Sequence, residues 1–95
     1  MRRVRFSEFA IADLEDIAEY IGQDSEETAR RIINRLEGAC FALRDFPELG
    51  TQSEVPNARK LIVPGLRHKI IYEVAKKTGA VVILRVYHSS RDMRY

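Results

Sequence analysis

The residues best suited to chemistry lie at the end of the chain, where the apolar run Val81 to Leu84 gives way to Arg85, Tyr87, His88, Ser89, Ser90, Arg91 and Asp92. Guanidinium groups neutralise phosphate and carboxylate oxygens, and imidazole moves protons near neutral pH. Arg85, His88 and Arg91 therefore form a cationic cluster fit for an anionic partner. Two readings of it stand side by side: His88, Ser90 and Arg91 touch a target, or His88 and Arg91 fix the chain end through backbone carbonyls and Asp92. No metal motif, phosphate-binding glycine loop or nucleophile triad occurs elsewhere. Cys40 is the single cysteine, and Ala39, Phe41 and Leu43 around it mark a small buried apolar residue. With only His68 and His88 to add, a zinc site would have to be completed by carboxylates at no recognisable spacing, so neither a metal nor a cofactor is expected.

A chain of 95 residues, 45% hydrophobic and 32% charged, fits one globular domain over residues 1–95 with a two-layer core. No run approaches the roughly 18 apolar residues of a membrane span. The basic start Met1-Arg2-Arg3-Val4-Arg5-Phe6 leads into no apolar stretch of a secretion signal, so the cytoplasm is the expected location. The net charge of +2 hides an asymmetry: 7 basic and 12 acidic groups give −5 over residues 1–57, while 9 basic and 2 acidic groups give +7 over residues 58–95. The second half thus attracts anionic partners, either nucleic acid or an acidic protein segment.

The elements that position the cluster follow from periodicity. Arg2, Val4 and Phe6 alternate with Arg3 and Arg5, the pattern of a strand. From Ser7 as N-cap, Ala10, Leu14, Ile17, Ala18 and Ile21 recur at helical spacing with an acidic outer face, and Gly22 ends the helix. Ser25 followed by Glu26 and Glu27 opens a second helix to about Asp45, with Ala29, Ile32, Ile33, Leu36, Cys40 and Leu43 as its apolar stripe. The short connection makes an antiparallel helical hairpin. Gly38 within the second helix predicts close packing against a neighbour, since it otherwise costs about 1 kcal/mol relative to alanine. Residues 47–57 form a loop, and strands follow at Arg59–Val63, Arg67–Val74 and Ala80–His88, broken by Pro64-Gly65 and by Lys76 to Gly79. The expected class is α+β, in β-α-α-β-β-β order, with the hairpin packed on an antiparallel sheet.

Alternation sends His68, Ile70, Tyr72 and Val74 towards the helices and Arg67, Lys69, Ile71 and Glu73 to the other face. It also groups Val81, Ile83, Arg85 and Tyr87 on one side of the last strand. Arg67, Lys69 and Arg85 then share an open cationic face, which either binds a partner or keeps the sheet soluble and its edges unpaired. Charges on the two helices read as solvated faces and weak surface ion pairs.

This order, together with Ala12 to Ile21, Phe46-Pro47-Glu48-Leu49-Gly50, Arg67 to Tyr72 and Val86-Tyr87-His88-Ser89-Ser90-Arg91-Asp92, resembles the RelE/ParE superfamily of bacterial type II toxins over essentially the whole chain. The His-x-x-Arg-Asp ending looks most like the ParE branch, whose members poison DNA gyrase without catalysis. That resemblance implies a target surface including His88, Ser90 and Arg91. The RelE branch cuts messenger RNA on the ribosome, and the same likeness would give phosphate stabilisation to Arg67 and Arg85 and proton transfer to His88. Both branches imply a cognate antitoxin whose acidic segment folds on the toxin, with Arg59, Lys60, Arg67, Lys69 and Arg85 as its cationic contacts.

Overall fold

The computed structural model describes residues 2–88. Chain order is β1 (Val4–Phe6), α1 (Glu8–Gly22), α2 (Glu26–Ala42), β2 (Thr51–Gln52), β3 (Arg59–Ile62), β4 (His68–Val74) and β5 (Val81–His88). Ser7 and Ser25 cap the helices as expected: each hydroxyl oxygen accepts a backbone N–H three residues on, from Ala10 and Thr28. The two helices pack on one face of a five-stranded sheet ordered β1-β5-β4-β3-β2. β3, β4 and β5 form the expected antiparallel meander, but β1 runs parallel to β5, so the sheet is mixed. The two-residue β2 within the expected loop extends the sheet beyond β3.

The main core joins Ala10, Leu36, Cys40 and Leu43 from the helical side to Leu61, Ile70, Tyr72, Val81, Ile83 and Val86 from the sheet. Burying each large side chain of this kind contributes about 1.5–3 kcal/mol. Cys40 lies inside it, and burial pushes its thiol pKa up to about 12, as suits an inert packing residue. Among the described residues no helix is long and apolar enough to cross a membrane.

Three further expectations change. The register slips between Ile71↔Arg85 and Tyr72↔Ile83, so Leu84 has no partner and forms a β-bulge. Val81 and Ile83 therefore face the helices, while Arg85 and Tyr87 turn to the opposite face; alternation through the strand had put all four together. That opposite face is also not uncovered. Ala58 from the 53–58 loop closes over Ile71 and Tyr87, with Val55 and Leu84 beside them, as a second small core. Finally, Gly38 is exposed, and a Cβ placed there would meet nothing within 4 Å.

Gly50 is the glycine that packing demands. Tyr72 Oη donates to Pro47 O at 2.7 Å and accepts the Gly50 N–H at 2.9 Å, while Arg59 Nη1 donates to Gly50 O at 2.7 Å. This ties the turn after α2 onto the sheet, and a Cβ at Gly50 would lie 2.6 Å from Lys60 O and 2.7 Å from Tyr72 Oη. Urea unfolding should show Gly38→Ala stabilising the protein by about 1 kcal/mol, from helix propensity alone, and Gly50→Ala destabilising it by more than that. Loss of stability in Gly38→Ala would mean that an unseen contact needs the glycine.

Candidate functional site

β1 ends at Phe6, opposite Ile83, which leaves the rest of β5 without a strand on that side. The start of α1 takes over. Ser7 N donates to Ile83 O at 2.9 Å and Ser7 Oγ to Leu84 O at 2.8 Å. Two turns into the helix, Asp13 Oδ2 accepts Arg85 Nε at 2.8 Å and Val86 N at 2.9 Å, while Oδ1 accepts Arg85 Nη2 at 2.9 Å. One carboxylate thus serves as the missing edge partner for a backbone amide and as the bidentate counter-ion of Arg85. The pair is well shielded, with side-chain exposures of 26% for Arg85 and 13% for Asp13. The guanidinium carbon lies 4.7 Å from the Tyr87 ring centroid and 5.9 Å from that of Phe9, so two aromatic faces flank the cation.

His68 and His88 face each other across the end of the β4–β5 ladder with ring centroids 5.4 Å apart. His68 is buried, and its Nδ1 has no hydrogen-bond partner among the described residues. Burial, and secondarily His88, holds its pKa below the usual histidine value. A buried neutral imidazole in this position packs the sheet end rather than exchanging protons with a bound substrate.

The structure therefore distributes the expected site residues. Arg85 is held by Asp13, His88 meets His68, and Arg67 is exposed in the turn before β4. Lys60, Lys69 and Arg85 lie on the sheet face away from the helices; Arg59 pairs with Tyr72 across the ladder and bonds the Gly50 carbonyl instead. Lys60 also makes a 3.5 Å ion pair with Glu54, which lowers the exposed Glu54 pKa after its own backbone hydrogen bond. Ser90 and Arg91 lie outside the described residues.

Asp13 was passed over among the acidic residues of a solvated helix face. The signal for it was Arg85 itself, a lone cation in a strand apolar on both faces, which needs a counter-ion from a neighbouring element.

This arrangement of a helical hairpin on a meander is shared with known proteins. Residues 4–93 match the family model described as ParE toxin of type II toxin–antitoxin system, parDE. The chain belongs to the ParE toxin family. It is the toxin component of a type II toxin–antitoxin system within the ParE/RelE superfamily. The toxin is 36% identical over 91 residues to Toxin RelE2 of Caulobacter vibrioides, spanning 96% of this chain and 99% of that one. It is 28% identical over 91 residues to Putative toxin Y4kP of Sinorhizobium fredii, spanning 96% and 92% of the two chains. Among solved structures, a chain of the chromosomal ParDE system from P. aeruginosa superposes with a TM-score of 0.81 at 23% identity, over 93% of this toxin and 96% of that chain. A chain of the RelBE2 complex from Mycobacterium tuberculosis gives 0.68 at 23% identity, over 92% and 96%. At these identities the structural matches establish the shared fold.

The His68 environment sets a pH dependence. Its folded pKa lies below the unfolded value, so below about pH 6.5 the unfolded chain binds the proton more readily and stability falls with acidification. The loss begins as pH drops through the unfolded pKa and levels off below the folded one. Urea unfolding between pH 8 and 5 should show this fall in the wild type and a shallower fall in His68→Gln. Equal slopes would contradict the assignment.

Proposed function

We propose that this toxin inhibits DNA gyrase and is neutralised by a cognate antitoxin. The observation that carries the reading is the engagement of Arg85 by Asp13 within a ParE-family chain. A ribonuclease would need that guanidinium for phosphate, and here both oxygens of a shielded carboxylate already neutralise it. A gyrase poison asks only for a rigid platform from which the segment after β5 meets the enzyme. His88, Ser90 and Arg91 are the proposed contacts, and arrest of growth through stabilised DNA cleavage is the proposed outcome. The site of action is then the cytoplasm.

The antitoxin is proposed to form a hetero-oligomer with the toxin. Of the cations expected to meet its acidic segment, exposed Arg67 and half-buried Lys69 are the principal contacts, since Arg59, Lys60 and Arg85 already bond Gly50, Glu54 and Asp13. An apolar groove of about 360 Å³ between the helices, lined by Phe6, Ile11, Leu14, Ala18 and Ile33 with Glu15 and Glu37, offers a seat for the segment's apolar side. Neighbouring structures are themselves toxin–antitoxin complexes, which supports this partnership.

A second reading, ribosome-dependent cleavage of messenger RNA through Arg67, Arg85 and His88, draws on the 36% identity to Toxin RelE2. A supercoiling assay with gyrase, ATP and the purified toxin separates the two. Inhibition with accumulation of cleaved DNA, reversed by antitoxin, is the expected result. No effect in large molar excess of folded toxin would overturn the gyrase reading and favour messenger cleavage.

A further inference from the structure

A concavity of about 1000 Å³ is lined by Arg2, Arg3, Val4, Arg5, Phe41, Arg44, Thr78 and Ala80. It lies beside β1, an edge strand paired only with β5, and reaches the end of α2 and the β4–β5 hairpin. Its four arginines all come from the half of the sequence whose net charge is −5. No acidic residue lines it. Arg2, Arg3 and Arg5 form no ion pair among the described residues, and Arg44 has only its sequence neighbour Asp45 at 3.9 Å, too long for a hydrogen bond. The hairpin that contributes Thr78 also carries exposed Lys76 and Lys77.

Like charges gathered in a concavity repel one another, add nothing to folding and focus a positive field that attracts anions. Alternation along the strand sets Arg3 and Arg5 roughly 6.6 Å apart on the face opposite Val4 and Phe6, from which they line the groove at the open edge of β1; the spacing is on the order of that between successive phosphates in an extended single strand. Arg forks match phosphate oxygens in pairs. Phe41 stands in the same groove at 47% exposure, its ring braced edge-on by Phe6 with centroids 6.0 Å apart. A braced, exposed aromatic ring among arginines suits a polyanion that carries a flat base in each repeat.

We propose that this groove binds a single strand of nucleic acid, with Arg2, Arg3, Arg5 and Arg44 on the backbone and Phe41 stacked on a base. The contact is independent of the surface at the end of β5 and of the target's identity. Phosphodiester chemistry is common to DNA and RNA, so the choice between them is read from the experiment.

The test is fluorescence anisotropy of the full toxin with labelled 12-mers of deoxythymidine and of uridine, a duplex of the same length and an acidic peptide, across a salt series. Four phosphate contacts predict a slope of log K against log salt of about −3 for a single strand, and Arg3→Ala or Arg5→Ala should each reduce its magnitude by about 0.7. Phe41→Ala should weaken binding about tenfold while leaving the slope unchanged. Arg30→Ala and Arg31→Ala, on the outer face of α2, serve as controls that keep wild-type affinity, with circular dichroism confirming that every variant is folded. A preference for either 12-mer with these losses supports the proposal and names the nucleic acid. Equal losses in the controls, binding to duplex alone or binding to the acidic peptide alone would overturn it.

Discussion

The structure depends on how β5 is held where β1 stops. A strand with an open edge leaves amide groups to seek another chain, and here Asp13 closes that edge from a helix. The same carboxylate neutralises Arg85, whose unpaired charge would otherwise be costly in so shielded a place. Ser7 joins the beginning of α1 to β5 one step earlier, so the helix cannot shift without breaking several bonds to that strand. The bulge at Leu84 belongs to this design. It turns Arg85 out of the helix-facing core and into reach of Asp13, while Val86 returns to the core.

Elements and their order were legible because each carries a strong local signal: serine caps followed by carboxylates, a stripe at helical spacing, apolar runs broken by Pro64-Gly65 and Lys76 to Gly79. The mixed character of the sheet was not, since β1 has only three residues and its partner β5 lies at the far end of the sequence. The bulge was equally hidden. Val81 to Tyr87 reads as unbroken alternation, and only the competing demands of Ile83 in the core and Arg85 at Asp13 force the extra residue. Gly38 misled in the opposite direction, because a glycine in a helix suggests close packing and here it meets open space.

Charge was the most deceptive guide to the surface. Summed by halves, residues 58–95 appear as the cationic part, yet Lys60, Arg59 and Arg85 are already engaged by Glu54, Gly50 and Asp13. Cations without an ion pair among the described residues remain at Arg67, Lys69, Lys76 and Lys77, and a further set lines the groove beside β1, drawn from a half that is acidic on average. Folding separates the two kinds: partnered charges fasten the loop and the end of the sheet, while some uncompensated ones face a groove.

The central claim is that Asp13 acts as the edge partner of β5 and so fixes the platform from which the chain end departs. Amide hydrogen exchange at Val86, compared between the wild type and Asp13→Ala, tests it most directly. The account predicts that Val86 loses its protection in the variant while Val81, bonded to Arg3 O, retains it. Unchanged protection at Val86 would contradict the account and leave the strand end held by something other than this carboxylate.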